Sequence, residues 1–67
     1  MNLTVREKDV VRLLTAGMRN AEIGKHMGIT EDAVKNHLRH IYDKLGFSNR
    51  VELAMWELKR RNDALHQ

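Results

Sequence analysis

Lys35, Asn36 and Arg39 lie on a stretch that carries no acidic residue from Ala33 to Ile41. Their side chains share a definite chemistry. Arg and Lys donate to guanine O6 and N7, an Asn amide pairs with adenine N6 and N7, and all three reach phosphates. At about 100° per residue, Val34, Leu38, Ile41 and Leu45 gather into one apolar stripe. Lys35, Asn36, Arg39, His40 and Asp43 then take the opposite side, with His37 and Tyr42 flanking the stripe. Taken alone, such a face is an ordinary solvated helix surface, so the segments around it decide its meaning.

Upstream, Ile23 and Met27 form the apolar edge of a short helix, which Asn20 can cap and Gly28 can end in a left-handed conformation. Ile29 follows as an apolar plug. Thr30 is a good N-cap for the next helix, whose opening Glu31 and Asp32 suit the positive end of the helix dipole. Two short helices joined by Gly-Ile-Thr, the second carrying the basic and amide face, have the layout of a helix-turn-helix.

Two further helices complete the reading. The first opens with a capping box, Thr4 with Glu7 three residues on, continues through Val10, Val11, Leu13 and Leu14, and ends at Gly17. That cap accounts for Glu7 without a catalytic role. The last runs from a Ser48 cap to about Asn62. Its Val51, Ala54, Met55 and Leu58 are expected to close the core, leaving Leu53 and Trp56 outward as a contact patch. The Lys59-Arg60-Arg61 run reads as a solvated helix end that complements the dipole. The expectation is therefore an all-α, compact four-helix domain over residues 1–67, with helices at about 5–16, 20–27, 31–45 and 49–62.

These segments together resemble the LuxR/FixJ-type DNA-binding domain, including stand-alone GerE-like regulators. The matching parts are L-T-V-R-E at Leu3 to Glu7, V-V-R-L-L-T-A-G at Val10 to Gly17 and N-A-E-I-G-K-H-M-G-I-T-E at Asn20 to Glu31. A-V-K-N-H-L-R-H-I at Ala33 to Ile41 and K-L-G-F-S-N-R-V-E at Lys44 to Glu52 complete the set. The resemblance implies a regulator of transcription whose third helix enters the major groove and whose fourth pairs subunits into a dimer. It places Lys35, Asn36 and Arg39 at base-reading positions and Lys25, Thr30 and His37 near phosphates. Lys44 and Arg50 are added as basic candidates for phosphate contact, and Leu53 and Trp56 as the dimer contact.

The chain departs from the family at four positions. Gly24 stands where Ala is usual, Asp32 and Ala33 replace a common Lys-Thr pair, and Val5 replaces a frequent Pro. The exchange at 32 and 33 removes a positive charge and a hydroxyl from the phosphate-facing end, which predicts weaker affinity.

Composition bounds the remaining alternatives. With 67 residues, a net charge of +3 and no cysteine, the chain can build one small core without disulfides or thiolate metal sites. A pI near 9.7 is mild for a binder of polyanions. His26, His37 and His40 are the only candidate metal cluster and lack a carboxylate-rich surround. No nucleophile–base pair or phosphate-binding glycine loop is visible, so neither an enzyme nor a cofactor or metal is expected. There is no membrane-length apolar run and no signal peptide, which predicts a soluble cytoplasmic protein. The expected partners are double-stranded DNA, a second copy through the fourth helix, and RNA polymerase. A sigma-factor-like promoter-recognition domain and a helical protein-interaction module are the competing readings.

Overall fold

A computed structural model describes residues 2–65. Four helices follow one another: α1 (Val5–Thr15), α2 (Asn20–Met27), α3 (Glu31–Leu45) and α4 (Arg50–Leu65). There is no strand among the described residues. Val10, Val11, Leu13 and Leu14 of α1, Ile23 of α2, Val34, Leu38 and Ile41 of α3 and Leu53 of α4 are buried together. The expected stripe of α3 is thus the core stripe, with Leu45 packed at its edge.

Local signals fixed most of the helix ends. Thr4 caps α1, accepting from the Glu7 N–H at 3.1 Å while the Glu7 carboxylate accepts from the Thr4 N–H at 2.8 Å. Thr30 caps α3 by accepting from the Ala33 N–H at 3.0 Å. Gly28 ends α2 at φ 72°, a left-handed conformation that glycine adopts without a Cβ clash.

Two expected caps move by one residue. At α2 the cap position is Arg19, whose N–H donates to the Glu22 carboxylate at 3.0 Å; Asn20 is already helical and its Oδ1 accepts instead from Arg50 at 2.7 Å. At α4, Asn49 and not Ser48 caps the helix, because the free Glu52 N–H lies three residues beyond Asn49 and bonds its Oδ1 at 3.0 Å. Glu52 in turn accepts from the Ser48 N–H at 2.9 Å. The helix continues to Leu65, past the expected end near Asn62.

Of the α4 residues expected to close the core, Ala54 packs against it, but the other three and the Leu53/Trp56 pair exchange places. Leu53 is fully buried and Trp56 is half-buried, its ring set edge-on to Phe47 at 6.2 Å. Val51 and Met55, each 65% exposed, and Leu58, 54% exposed, form the outer edge instead. Both faces carry apolar residues, so the hydrophobic pattern alone was symmetric between them. α4 packs against α1 and turns Leu53 and Trp56 to the core, although the buried side also carries Glu57. The Glu57 carboxylate is buried at a tolerable cost because Arg60 and Arg61 donate to its two oxygens, each at 2.9 Å. Arg60 also lies over the Trp56 ring, 5.6 Å from its centroid. These two arginines therefore do not form a helix end, as the sequence had suggested; they clamp a side chain within α4.

No helix among the described residues is long and apolar enough to cross a membrane.

Candidate nucleic-acid interface

The helix-turn-helix is drawn together at Gly24. A Cβ built there would lie 2.7 Å from the Ile29 carbonyl oxygen and 3.3 Å from the Thr30 carbonyl carbon. Such a separation is sub-van der Waals, so the turn and α2 approach each other as closely as they do because residue 24 has no side chain. The Ile29 N–H donates to the Gly24 carbonyl at 2.9 Å, and Ile29 itself packs on the core as the plug between the helices. This contact sets where α3 starts, and hence where its outer face points.

On that face Lys35, Asn36, Arg39, His40 and Asp43 are all exposed, while Val34, Leu38 and Ile41 are buried beneath them. The core stripe therefore holds the helix and leaves the basic and amide side chains free to meet a ligand. Arg39 donates through Nη2 to the Oδ1 of Asn36. Lys35 lies 3.8 Å from Glu31, with both side chains more than half exposed, a separation at which the pair contributes little and releases easily. His37 is half-buried on the flank, and Lys25 and Thr30 are exposed on α2 and at the α3 cap. The acids Glu31 and Asp32 are exposed in the first turn of α3, so the basic surface begins beyond them.

Lys44 and Arg50 stand apart from this set. The Lys44 ammonium meets Glu7 at 2.7 Å and the Asn2 carbonyl at 3.2 Å, tying the end of α3 to the start of α1. Burial pushes the Glu7 carboxyl up, but the Lys44 hydrogen bond, the Thr4 N–H and the Lys44 charge outweigh it and hold the carboxyl below its ordinary value. Arg50 donates to Asn20 Oδ1 and to the Met18 carbonyl, both at 2.7 Å, pinning the α1–α2 turn to the base of α4. The adjacent Tyr42 hydroxyl is pushed up by burial and pulled back in part by the Arg50 charge. Lys44 and Arg50, two of the cations expected at phosphates, are thus engaged within the fold. Each partner is thirty or more residues away in sequence, beyond the reach of any local pattern.

The site on α4 also differs from expectation. Leu53 has no exposed surface to offer a partner and Trp56 is partly covered; apart from Leu65 at its end, the exposed large apolar residues of α4 are Val51, Met55 and Leu58. Their i, i+4, i+7 spacing was legible in the sequence; which of the two apolar edges faced outward was not.

The comparisons agree with this geometry. The family described as bacterial regulatory proteins, luxR family, matches residues 1–57. The nitrate/nitrite response regulator protein NarL of Escherichia coli strain K12 is 39% identical over 59 residues, which are 88% of this chain and 27% of NarL. A Mycobacterium bovis protein named as an HTH-type transcriptional regulator is 44% identical over 53 residues, 79% of this chain and 6% of that protein. The transcriptional regulatory protein SgaR of Hyphomicrobium methylovorum is 45% identical over 50 residues, 75% of this chain and 24% of SgaR. The chain thus spans about a quarter, or less, of the length of these relatives. With four helices, a tight α2–α3 turn and a match over most of its length, the chain belongs to the luxR family of bacterial regulatory proteins and is its DNA-binding helix-turn-helix domain.

Proposed function

We propose that the chain serves a sequence-specific transcription regulator, with α3 in the major groove and Lys35, Asn36 and Arg39 at the base edges. Lys25, Thr30 and His37 lie beside phosphates in this reading. The observation that carries it is the opposition on α3 between a buried stripe and an exposed Lys/Asn/Arg face on a helix held by a tight turn. Two copies, paired through Val51, Met55 and Leu58 of α4, occupy two half-sites about one helical turn apart. This outer stripe is short, and one such strip per subunit falls well below the roughly 1,000 Å² of a stable interface, so pairing is weak until DNA holds both copies. The protein works in the cytoplasm where its DNA lies, and its effect on transcription passes through RNA polymerase.

Selection of bound duplexes from a random pool, followed by fluorescence anisotropy on the selected sequence, tests this directly. A recurring half-site is expected, with affinity that falls steeply as salt rises. Binding that is absent, or indifferent to both salt and sequence, would overturn it in favour of a protein-interaction module.

A further inference from the structure

The bond between Asn36 and Arg39 changes what each can read. An Arg guanidinium has donors only, so the Asn36 atom it meets must be the carbonyl oxygen Oδ1. To read adenine, an Asn amide needs both ends turned outward in the plane of the base, the oxygen accepting from N6 and the nitrogen donating to N7. In this structure Oδ1 is turned along the helix towards Arg39, one turn on. What the pair presents outward is the Asn36 Nδ2 and the remaining guanidinium N–H groups, all donors. Guanine, with acceptors at both O6 and N7, is the base edge that such a unit satisfies.

We infer that Asn36 is a positioning residue for Arg39, and that the two act as one donor unit selecting a guanine in the half-site; this rests on the reading of α3 as the groove helix. In water the contact is weak, because both side chains are exposed. Docking removes that water, and the bond strengthens as the local dielectric falls. The guanidinium then enters the groove with its rotamer already restrained, so less side-chain freedom is lost on binding.

The test uses the selected operator and a panel of its single-base-pair variants, with wild type, Asn36→Ala, Arg39→Ala, the double variant and Asn36→Asp. Circular dichroism checks that each variant is folded, as is expected for two exposed positions. Asn36→Ala and Arg39→Ala should flatten preference at the same G·C pair, Arg39→Ala by roughly tenfold or more, with the double variant no flatter than Arg39→Ala. Asn36→Asp keeps the acceptor for Arg39 and discards the amide donor. It should weaken binding to all sequences through its charge and keep guanine preferred, though by less than wild type, because Arg39 stays positioned while the second donor is lost. Placing 7-deazaguanine at that position should weaken wild type and leave Arg39→Ala nearly unchanged.

Losses at two different base pairs, with an A·T pair assigned to Asn36 and additive effects in the double variant, would overturn the positioning role while leaving α3 as the reading helix. A preference profile unchanged by Arg39→Ala would instead overturn the groove reading itself, and this inference with it.

Discussion

Glu7 is a buried carboxylate, 4% exposed, that serves two structures at once. Its bond to the Thr4 N–H starts α1, and its 2.7 Å pairing with Lys44 joins that start to the end of α3. Lys44→Met should leave the carboxylate buried with one strong partner fewer and destabilise the domain by about 1–2 kcal/mol at neutral pH, discounted because the lysine is partly exposed. The pH dependence has a definite sign. The folded-state pKa of Glu7 is lowered, so its contribution is present above the unfolded-state value and is lost as pH falls through the folded one. Removing Lys44 raises the folded-state pKa, and acid unfolding of Lys44→Met should begin at higher pH than in wild type. Urea melts across the acidic range check this; an unshifted acid transition would show that Lys44 does not hold the carboxyl down. The cap was legible from Thr4 and Glu7 three positions apart, whereas Lys44, 37 positions further on, was not.

Among the elements, α2 and α4 make contrasting predictions. Gly24→Ala gains about 1 kcal/mol of helix propensity but drives a methyl against the Ile29 carbonyl, an overpacking cost of about 1–3 kcal/mol that backbone cannot easily relieve. A net loss of stability, with a displaced turn and weaker specific binding, should follow. A higher melting temperature with unchanged DNA affinity would mean that the turn can yield. On α4 the two apolar edges should separate cleanly. Leu53→Ala should cost about 3 kcal/mol in a urea melt as a core truncation. Met55→Glu, on an exposed site, should leave the melt within about 0.5 kcal/mol of wild type and abolish cooperative binding to a two-half-site operator, with half-site affinity little changed. The opposite outcome would return the interface to the Leu53 edge.

For the molecule as a whole, what matters is which of its cations are available to phosphates. Lys25, Lys35 and Arg39 are exposed on α2 and α3, while Lys44 and Arg50 are paired with partners within the chain. Whether at phosphates or in the groove between them, Lys25, Lys35 and Arg39 offset about three phosphate charges per copy, a log–log salt slope near −2.7 on a single half-site, against about −4.5 if all five cations took part. Anisotropy titrations over a range of salt distinguish the two, and the steeper slope would show that the internal pairs open on DNA. A net charge of only +3 is consistent with a module that finds DNA by a local basic face and not by overall attraction.

The amino-acid sequence by itself determined α1 to α3 and the exposed Lys/Asn/Arg face of α3, because caps such as Thr4 and Thr30 act within one turn and α3 has a single apolar stripe. Residues opposite that stripe had no other place to go. The fourth helix was different in kind. It carries apolar residues on both sides, and only contact with α1 and the Phe47 ring decided that Leu53 and Trp56 would turn inward, with the Glu57 carboxylate that turns in beside them held by arginines of α4 itself. Tertiary structure likewise gave Lys44 and Arg50 partners thirty or more residues away, whereas the bond from Arg39 to Asn36 lies within one turn of α3. Whether a side chain's hydrogen-bonding groups remain free depends on the partners that folding brings to them, and hydrophobic periodicity carries no record of those partners.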